Sequence, residues 1–487
     1  MVTGAEAFCP NPDCGRPLHP VPPPRPPVLR FVLIGVAVVA AALVVLIGVS
    51  KWQHRNDIPE PLASAASPAV SASPAPLAYP VRLCGSSTMG ERAGPLLLQA
   101  FVMRKGGAGA APPDLNDVRR AISSGPTATA FRSLAAKTCD VGMASRQITP
   151  AERSRLRALG DMSSRDSEHV IGLDGITIVV NRANPVSALS IDQLRSIFAG
   201  SITNWSAVHG AAGAIHLYAP GANTGTVDSF KLLVMDQAPL ARGLRMAGTH
   251  ADVTAAVARD KQAIGFVALP YADRAKALKV SSGGATAIAM VPNQLTVGRE
   301  TYPLSRRLYL YTAARPANPS VKEFVAFARS DEGQLLVDRA GFVGSTSTGV
   351  VKRARTTALP PNAPPAYVRL ARTSRQSEFV FYFKVGSGAL DNKAYDDIGR
   401  LVSAMSLREN RNQQIVLAGF ADSTGNHDAN YALSVRRAKS VQRELVSRGV
   451  KVKEALGFGD AMPIRDNSTE QGREKNRRVE IFVTFKA

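Results

Sequence analysis

The chain is poor in residues that mark local catalytic motifs. Its seven histidines, His19, His54, His169, His209, His216, His250 and His427, fall at no metal-ligand spacing, and there is no Gly-x-Ser-x-Gly elbow. These absences argue against a motif-borne metalloenzyme or serine hydrolase, although a triad assembled in space leaves no local trace. A protein that is not an enzyme is expected. Four cysteines are few for 487 residues. Acidic residues are scarce too, 38 against 59 Lys and Arg, a formal charge of +21. In the cytosol that excess would suggest nucleic acid; in the cell envelope it suggests anionic polymers and lipid head groups. No internal repeat is present.

One long apolar run stands out. Phe31 to Ser50 carries no charge and is bracketed by Arg30 and Lys51, and ~20 apolar residues suffice to cross a bilayer. A single uncleaved transmembrane helix over 31–50 is expected, because a secretory signal would lie closer to the N-terminus. Before it, Cys9 and Cys14 resemble half of a zinc knuckle, with His19 as a further ligand; two reduced thiols are the competing reading. After it, residues 51–79 are rich in Ala, Ser and Pro and read as an extended tether. A Pro- and Arg-rich linker is expected over 348–375. It separates a region at 80–347, where strands alternate with helices in the manner of a mainly parallel α/β sheet, from a smaller domain at 376–487.

In the smaller domain the apolar run Ile415 to Phe420 reads as a buried strand, and Asp422 sits on the loop behind it. Leu433, Ala438, Val441 and Leu445 follow helical spacing, and Arg437 lies in that pattern. An anion and a bidentate cation on separate rigid elements suit a zwitterion, and the helix's positive end could reinforce the cation. The competing reading is a structural Asp-Arg pair. The segments Gly419–Gly425, Asn430, Leu433–Ala438 and Asn476–Glu480 together resemble the peptidoglycan-binding domain of the OmpA-like family. That resemblance implies an α/β sandwich in which Asp422 and Arg437, with Asn430, grip the diaminopimelate of the wall peptide.

In the larger region, the loops Gly85-Ser86-Ser87-Thr88, Ala144-Ser145-Arg146 and Asn223-Thr224-Gly225-Thr226 each present hydroxyls and backbone N–H groups suited to an oxyanion. With Asp174-Gly175-Ile176, Ile197–Trp205, Ala263–Val267 and Tyr302–Arg306, they resemble the periplasmic substrate-binding proteins of phosphate importers. The resemblance implies a two-lobed fold with a ligand cleft formed by Ser86, Ser87, Thr88, Ser145, Arg146, Thr224, Gly225 and Thr226. One departure bears on the ligand: such relatives usually carry an Arg four residues before the Ser of their Ser-Gly-Thr motif, and here that position is Pro220. Arg146 is the candidate replacement cation.

Taken together, the expectation is an inner-membrane protein, N-terminus cytoplasmic and the rest periplasmic. It would bind a small anionic or polar solute, phosphate among the candidates, and hold peptidoglycan, without nucleic acid as partner or any cofactor beyond zinc at Cys9 and Cys14. The alternatives are a structural tether with a degenerate cleft and, from the enzyme class, a phosphate-ester hydrolase. Cys84 and Cys139 would be periplasmic, where disulfides persist. On neighbouring parallel strands their Cα atoms could exceed the ~7 Å limit for bridging, so pairing stays open.

Overall fold

The computed structural model describes residues 79–485, apart from 108, 110, 237, 284–287, 346–358, 360–361 and 384–388. The expected membrane span at 31–50, the tether and Cys9 with Cys14 lie outside the described residues. Among the described residues no helix is long and apolar enough to cross a membrane.

The first domain is organised by one long strand. Strands β1 (Leu83–Ser86), β2 (Ser123–Gly125), β3 (Val141–Ala144), β4 (Glu168–Val180), β5 (His216–Ala219), β6 (Arg245–Met246), β7 (Ala263–Ala268) and β8 (Ser305–Tyr311) run in the order β2-β1-β3-β8-β4-β7-β5-β6. All thirteen residues of β4 are buried, as its near-continuous apolar run demands of a strand covered on both faces. Its first half pairs with β8 and its second half with β7. It therefore passes from one lobe to the other. Leu83, Val141, Ile171, Leu308 and Phe324 fill one core, and Ile176, Ile178, Phe198, Phe230 and Phe266 fill the second, where Phe230 and Phe266 stack 3.9 Å apart.

The sheet is mixed, not mainly parallel. β1 pairs in parallel with β2 and β3, and β5 with β6 and β7, but β8 runs antiparallel to both β3 and β4. The reason is topological: the chain crosses outward in β4 and must return in β8. Cys139, two residues before β3, bridges to Cys84 in β1, with Cα atoms 6.0 Å apart. The staggered register brings them within reach, so the open question of pairing resolves as a disulfide.

In the second domain β9 (Arg375–Tyr382), β10 (Gln413–Gly419), β11 (Val452–Gly457) and β12 (Arg478–Phe485) form a sheet in the order β9-β12-β10-β11. Alternation along β10 sends Ile415 and Leu417 towards helices α3 (Asn392–Ser406) and α4 (His427–Ser447), while Val416 and Ala418 face the other side. That other side is covered by a helix, Pro365–Thr373, whose Tyr367 meets Phe420, Phe458 and Phe482 edge-on. The expected linker at 348–375 thus ends in a packed helix. Pro365 at its start and Tyr367 and Leu370 on one face are the local reasons.

Candidate functional site

At the crossing of the two lobes, Asp174 of β4 lies opposite Arg306 of β8, and both are buried. The Arg306 guanidinium donates to the Asp174 carboxylate at 2.6 and 2.9 Å. It also donates to the Gly225 carbonyl at 2.7 Å, the Thr226 hydroxyl at 2.8 Å, the Ser229 hydroxyl at 3.2 Å and the Thr88 hydroxyl at 3.4 Å. Thr88 and Thr226, from different lobes, are themselves 3.3 Å apart. The cleft is closed around one cation.

Glycine at 225 is required by this closeness, since a Cβ there would fall 2.1 Å from the Ser145 hydroxyl oxygen and 3.3 Å from that of Ser86. Ser145 pairs with Thr127, whereas the buried hydroxyls of Ser86 and Ser87 have no hydrogen-bond partner. Thr224 caps the turn Gly225–Phe230 by accepting from the Val227 N–H. His250 accepts the Ala268 N–H at Nδ1, which leaves Nε2–H to donate to Thr226. Burial, then the charges of Arg306 and Arg92, push the His250 pKa down to about 3, so the ring is neutral.

Ser86, Thr88, Ser145, Gly225 and Thr226 therefore converge as expected. The Arg146 guanidinium is held by Glu152 at 2.7 and 2.8 Å and lies over Phe131. The guanidinium that hydrogen-bonds to Thr88, Gly225 and Thr226 is that of Arg306. Half of the signal existed in the sequence: Asp174 interrupts the apolar run of β4, and burying such a charge is costly unless it meets a cation, whereas Arg306 stands between Ser305 and Arg307 with nothing to single it out.

In the second domain, Asp422 follows β10 and is buried. Its carboxylate accepts from the N–H and hydroxyl of Thr424 and, at 3.0 Å, from Arg477. Burial pushes this carboxyl up, but those hydrogen bonds outweigh it and hold the pKa below the usual aspartate value. Arg477, which sequence reasoning quoted without a role, also binds Glu470 at 2.8 Å. The predicted Asp-Arg pair is thus made with Arg477.

Arg437 remains without an ion pair among the described residues. Its guanidinium donates to the Phe420 carbonyl at 3.3 Å and lies 5.4 Å from the centre of the Phe383 ring. Burial lowers its pKa to about 10 against the opposing field of Asp422. Asn430 is seven residues earlier on α4, hence on the same face, and is also buried. The Nε of Arg437 and the Nδ2 of Asn430 are buried donors with no partner. The expected help from the helix's positive end fails, because Arg437 lies about three turns inside a helix that starts at His427. The unpartnered Nε of this buried guanidinium and an unpartnered amide nitrogen two turns away on the same helix face are donors suited to carboxylate oxygens, and Asp422 keeps lone pairs for an ammonium. No group of His, Cys, Asp and Glu among the described residues could hold a metal ion.

Residues 71–332 match the family model of the PBP superfamily domain, and residues 382–477 match that of the OmpA family. The phosphate-binding protein PstS of Staphylococcus epidermidis is 31% identical over 235 residues, 46% of this chain and 70% of that protein. Its counterpart from Staphylococcus aureus is 27% identical over 241 residues, 48% and 71% of the respective chains. Among solved structures, an ABC-type phosphate transport receptor from Vibrio cholerae aligns with 54% of this chain and 100% of its own, at 24% identity and a TM-score of 0.44. By the match over 71–332, more than half its length, the chain belongs to the PBP superfamily, and an OmpA family domain follows that segment.

Proposed function

We propose that this protein binds a phosphate-type oxyanion in its two-lobed domain and fastens itself non-covalently to peptidoglycan through Asp422, Asn430 and Arg437. The observation that carries the wall reading is Arg437, a buried guanidinium with no ion pair among the described residues, on the same helix face as the unpartnered Nδ2 of Asn430. A diaminopimelate carboxylate would satisfy both, with the ammonium of the same zwitterion at Asp422. Ser86 and Ser87, buried hydroxyls without partners, support the oxyanion reading, as do relatives named as phosphate-binding proteins. In this reading the run 31–50 anchors the chain in the inner membrane and 51–79 spans the gap to the wall. The chemistry is recognition, with hinge movement of the lobes and no covalent step.

A second reading, a tether with a degenerate cleft, draws on one observation: Arg306 and Arg146 are both already paired with carboxylates. Calorimetry of the full-length chain with inorganic phosphate separates the two. Saturable binding that Thr226→Val weakens supports the receptor; no heat at any phosphate concentration supports the tether. Sedimentation with purified sacculi tests the wall reading, which requires retention of the parent and loss for Arg437→Met.

A further inference from the structure

Consecutive residues of β8 face opposite ways, as the pleat requires: Arg306 enters the cleft, and Arg307 enters the contact with the OmpA family domain. Arg307 binds Glu300 at 2.9 Å and Asp391 of the second domain at 2.7 Å. Glu300 is buried, adopts a left-handed backbone with φ +57°, and is also reached by Lys475 and, at 4.0 Å, by Lys393 of the second domain. Its strained turn leads straight into the strand that carries Arg306.

The N–H groups of that turn bond within the first domain, to the carbonyls of Leu295, Val297 and Thr296, whereas its carbonyls take donors from the second domain. Arg465 donates to the carbonyls of Glu300 at 2.9 Å and Thr301 at 2.8 Å, and to that of Tyr302. Tyr382 donates to the Arg299 carbonyl at 2.8 Å, and Arg299 donates to the carbonyls of Gln376 and Ser377 at 2.7 and 2.9 Å. On the first domain's side, the Tyr302 hydroxyl donates to the Ile176 carbonyl at 2.9 Å, and the Ile176 N–H to the Leu304 carbonyl at 2.9 Å. These bonds tie the turn to the same two strands that hold Asp174 and Arg306. At the other end of β4, Asn392 of the second domain donates to Glu168 at 3.0 Å. Buried carbonyls left without donors are costly, so the turn's shape depends on the second domain being in place.

We propose that Arg465 is a positioning residue for the anion cleft: by holding Glu300, Thr301 and Tyr302 it sets Arg306 between Thr88 and Thr226, so the wall-binding domain completes the solute site. This rests on reading that cleft as an anion site. By reciprocity, an anion in the cleft tightens the contact between the domains.

The test uses the full-length protein, with Arg465→Met and, as a milder change, Lys475→Met. Hydrogen exchange of the amides from Leu304 to Arg307 is expected to accelerate by about tenfold in Arg465→Met, less in Lys475→Met, without any ligand present. Calorimetry with inorganic phosphate is expected to show affinity weakened by about tenfold, while retention on sacculi is unchanged. Lys475→Met keeps the test decisive should Arg465→Met fold poorly. Unchanged exchange in a folded Arg465→Met, or in both variants, overturns the proposal, as does phosphate binding equal to the parent's. If the parent itself binds no phosphate, the functional reading of the cleft fails, and the exchange rates still decide the role of Arg465.

Discussion

Arg306 in the cleft and Arg437 in the second domain are both buried, yet their surroundings are opposite. Arg306 is met by the Asp174 carboxylate and by three hydroxyls and a carbonyl. Arg437 has one carbonyl, an aromatic face and no ion pair among the described residues. A buried charge with a full set of partners belongs to the fold, whereas one left short of partners is held against the fold's interest. In the proposed reading the contrast separates a cation that builds its site from a cation that receives a ligand. It also explains why Asp422 and Arg437 are poor candidates for a mere structural pair: the structural pair at that place is Asp422 with Arg477.

The largest effect that tests this contrast is on stability. Arg306→Met leaves Asp174 buried and unpaired, and is expected to cost about 3 to 5 kcal/mol in denaturant unfolding. Arg437→Met removes an uncompensated charge, so unfolding midpoints should be unchanged or higher, while binding to sacculi loses about 2 to 5 kcal/mol. If both substitutions destabilise equally, the distinction drawn between the two arginines is wrong.

Acid sharpens the comparison further. Burial holds His250 at about 3 and His169 at about 4, both in the first domain, so they stay neutral when folded. The unfolded chain takes up those protons below pH ~6.5, binding more protons than the folded state. Stability of the first domain should therefore fall as pH drops from 6.5, by about 1.4 kcal/mol per histidine per unit, until the folded values are reached. Asp422 has the same sense in a lower window: its pKa is below the ordinary 3.8, so its contribution is complete above that value and is lost only in stronger acid. Melting followed separately for each domain at pH 7 and pH 5 checks this, with the first domain moving and the second staying. The smallest effect is that of Thr226→Val, which removes one acceptor of Arg306 and should cost about 1 to 2 kcal/mol in stability.

Much of this arrangement was legible in the sequence, for identifiable reasons. The β10 strand, the α4 pattern and the Gly-, Ser- and Thr-rich loops announce themselves through local periodicity and side-chain chemistry. Gly225 and Thr226 meet Ser86, Thr88 and Ser145 as expected. What local patterns could not show is pairing between distant residues. Arg146 looked available because Glu152, six residues on, was not recognised as its partner. Arg306 and Asp174 meet only because β8 runs antiparallel to β4, which strand composition does not reveal. The helix Pro365–Thr373 reads as linker in the sequence because its flanks are rich in Pro and Arg; its apolar face, Tyr367 and Leu370, is short and gains meaning only against the sheet.

In the proposed reading Arg437 receives a carboxylate that no described residue of its own domain supplies as an ion pair. The most direct measurement is calorimetry of the full-length chain with two soluble wall peptides, one containing diaminopimelate and one with lysine in its place, which keeps the ammonium but lacks the adjoining carboxylate. The account predicts saturable binding of the first, little or none of the second, and loss of the first in Arg437→Met. Equal binding of both peptides, or binding of the diaminopimelate peptide that survives Arg437→Met, would contradict it.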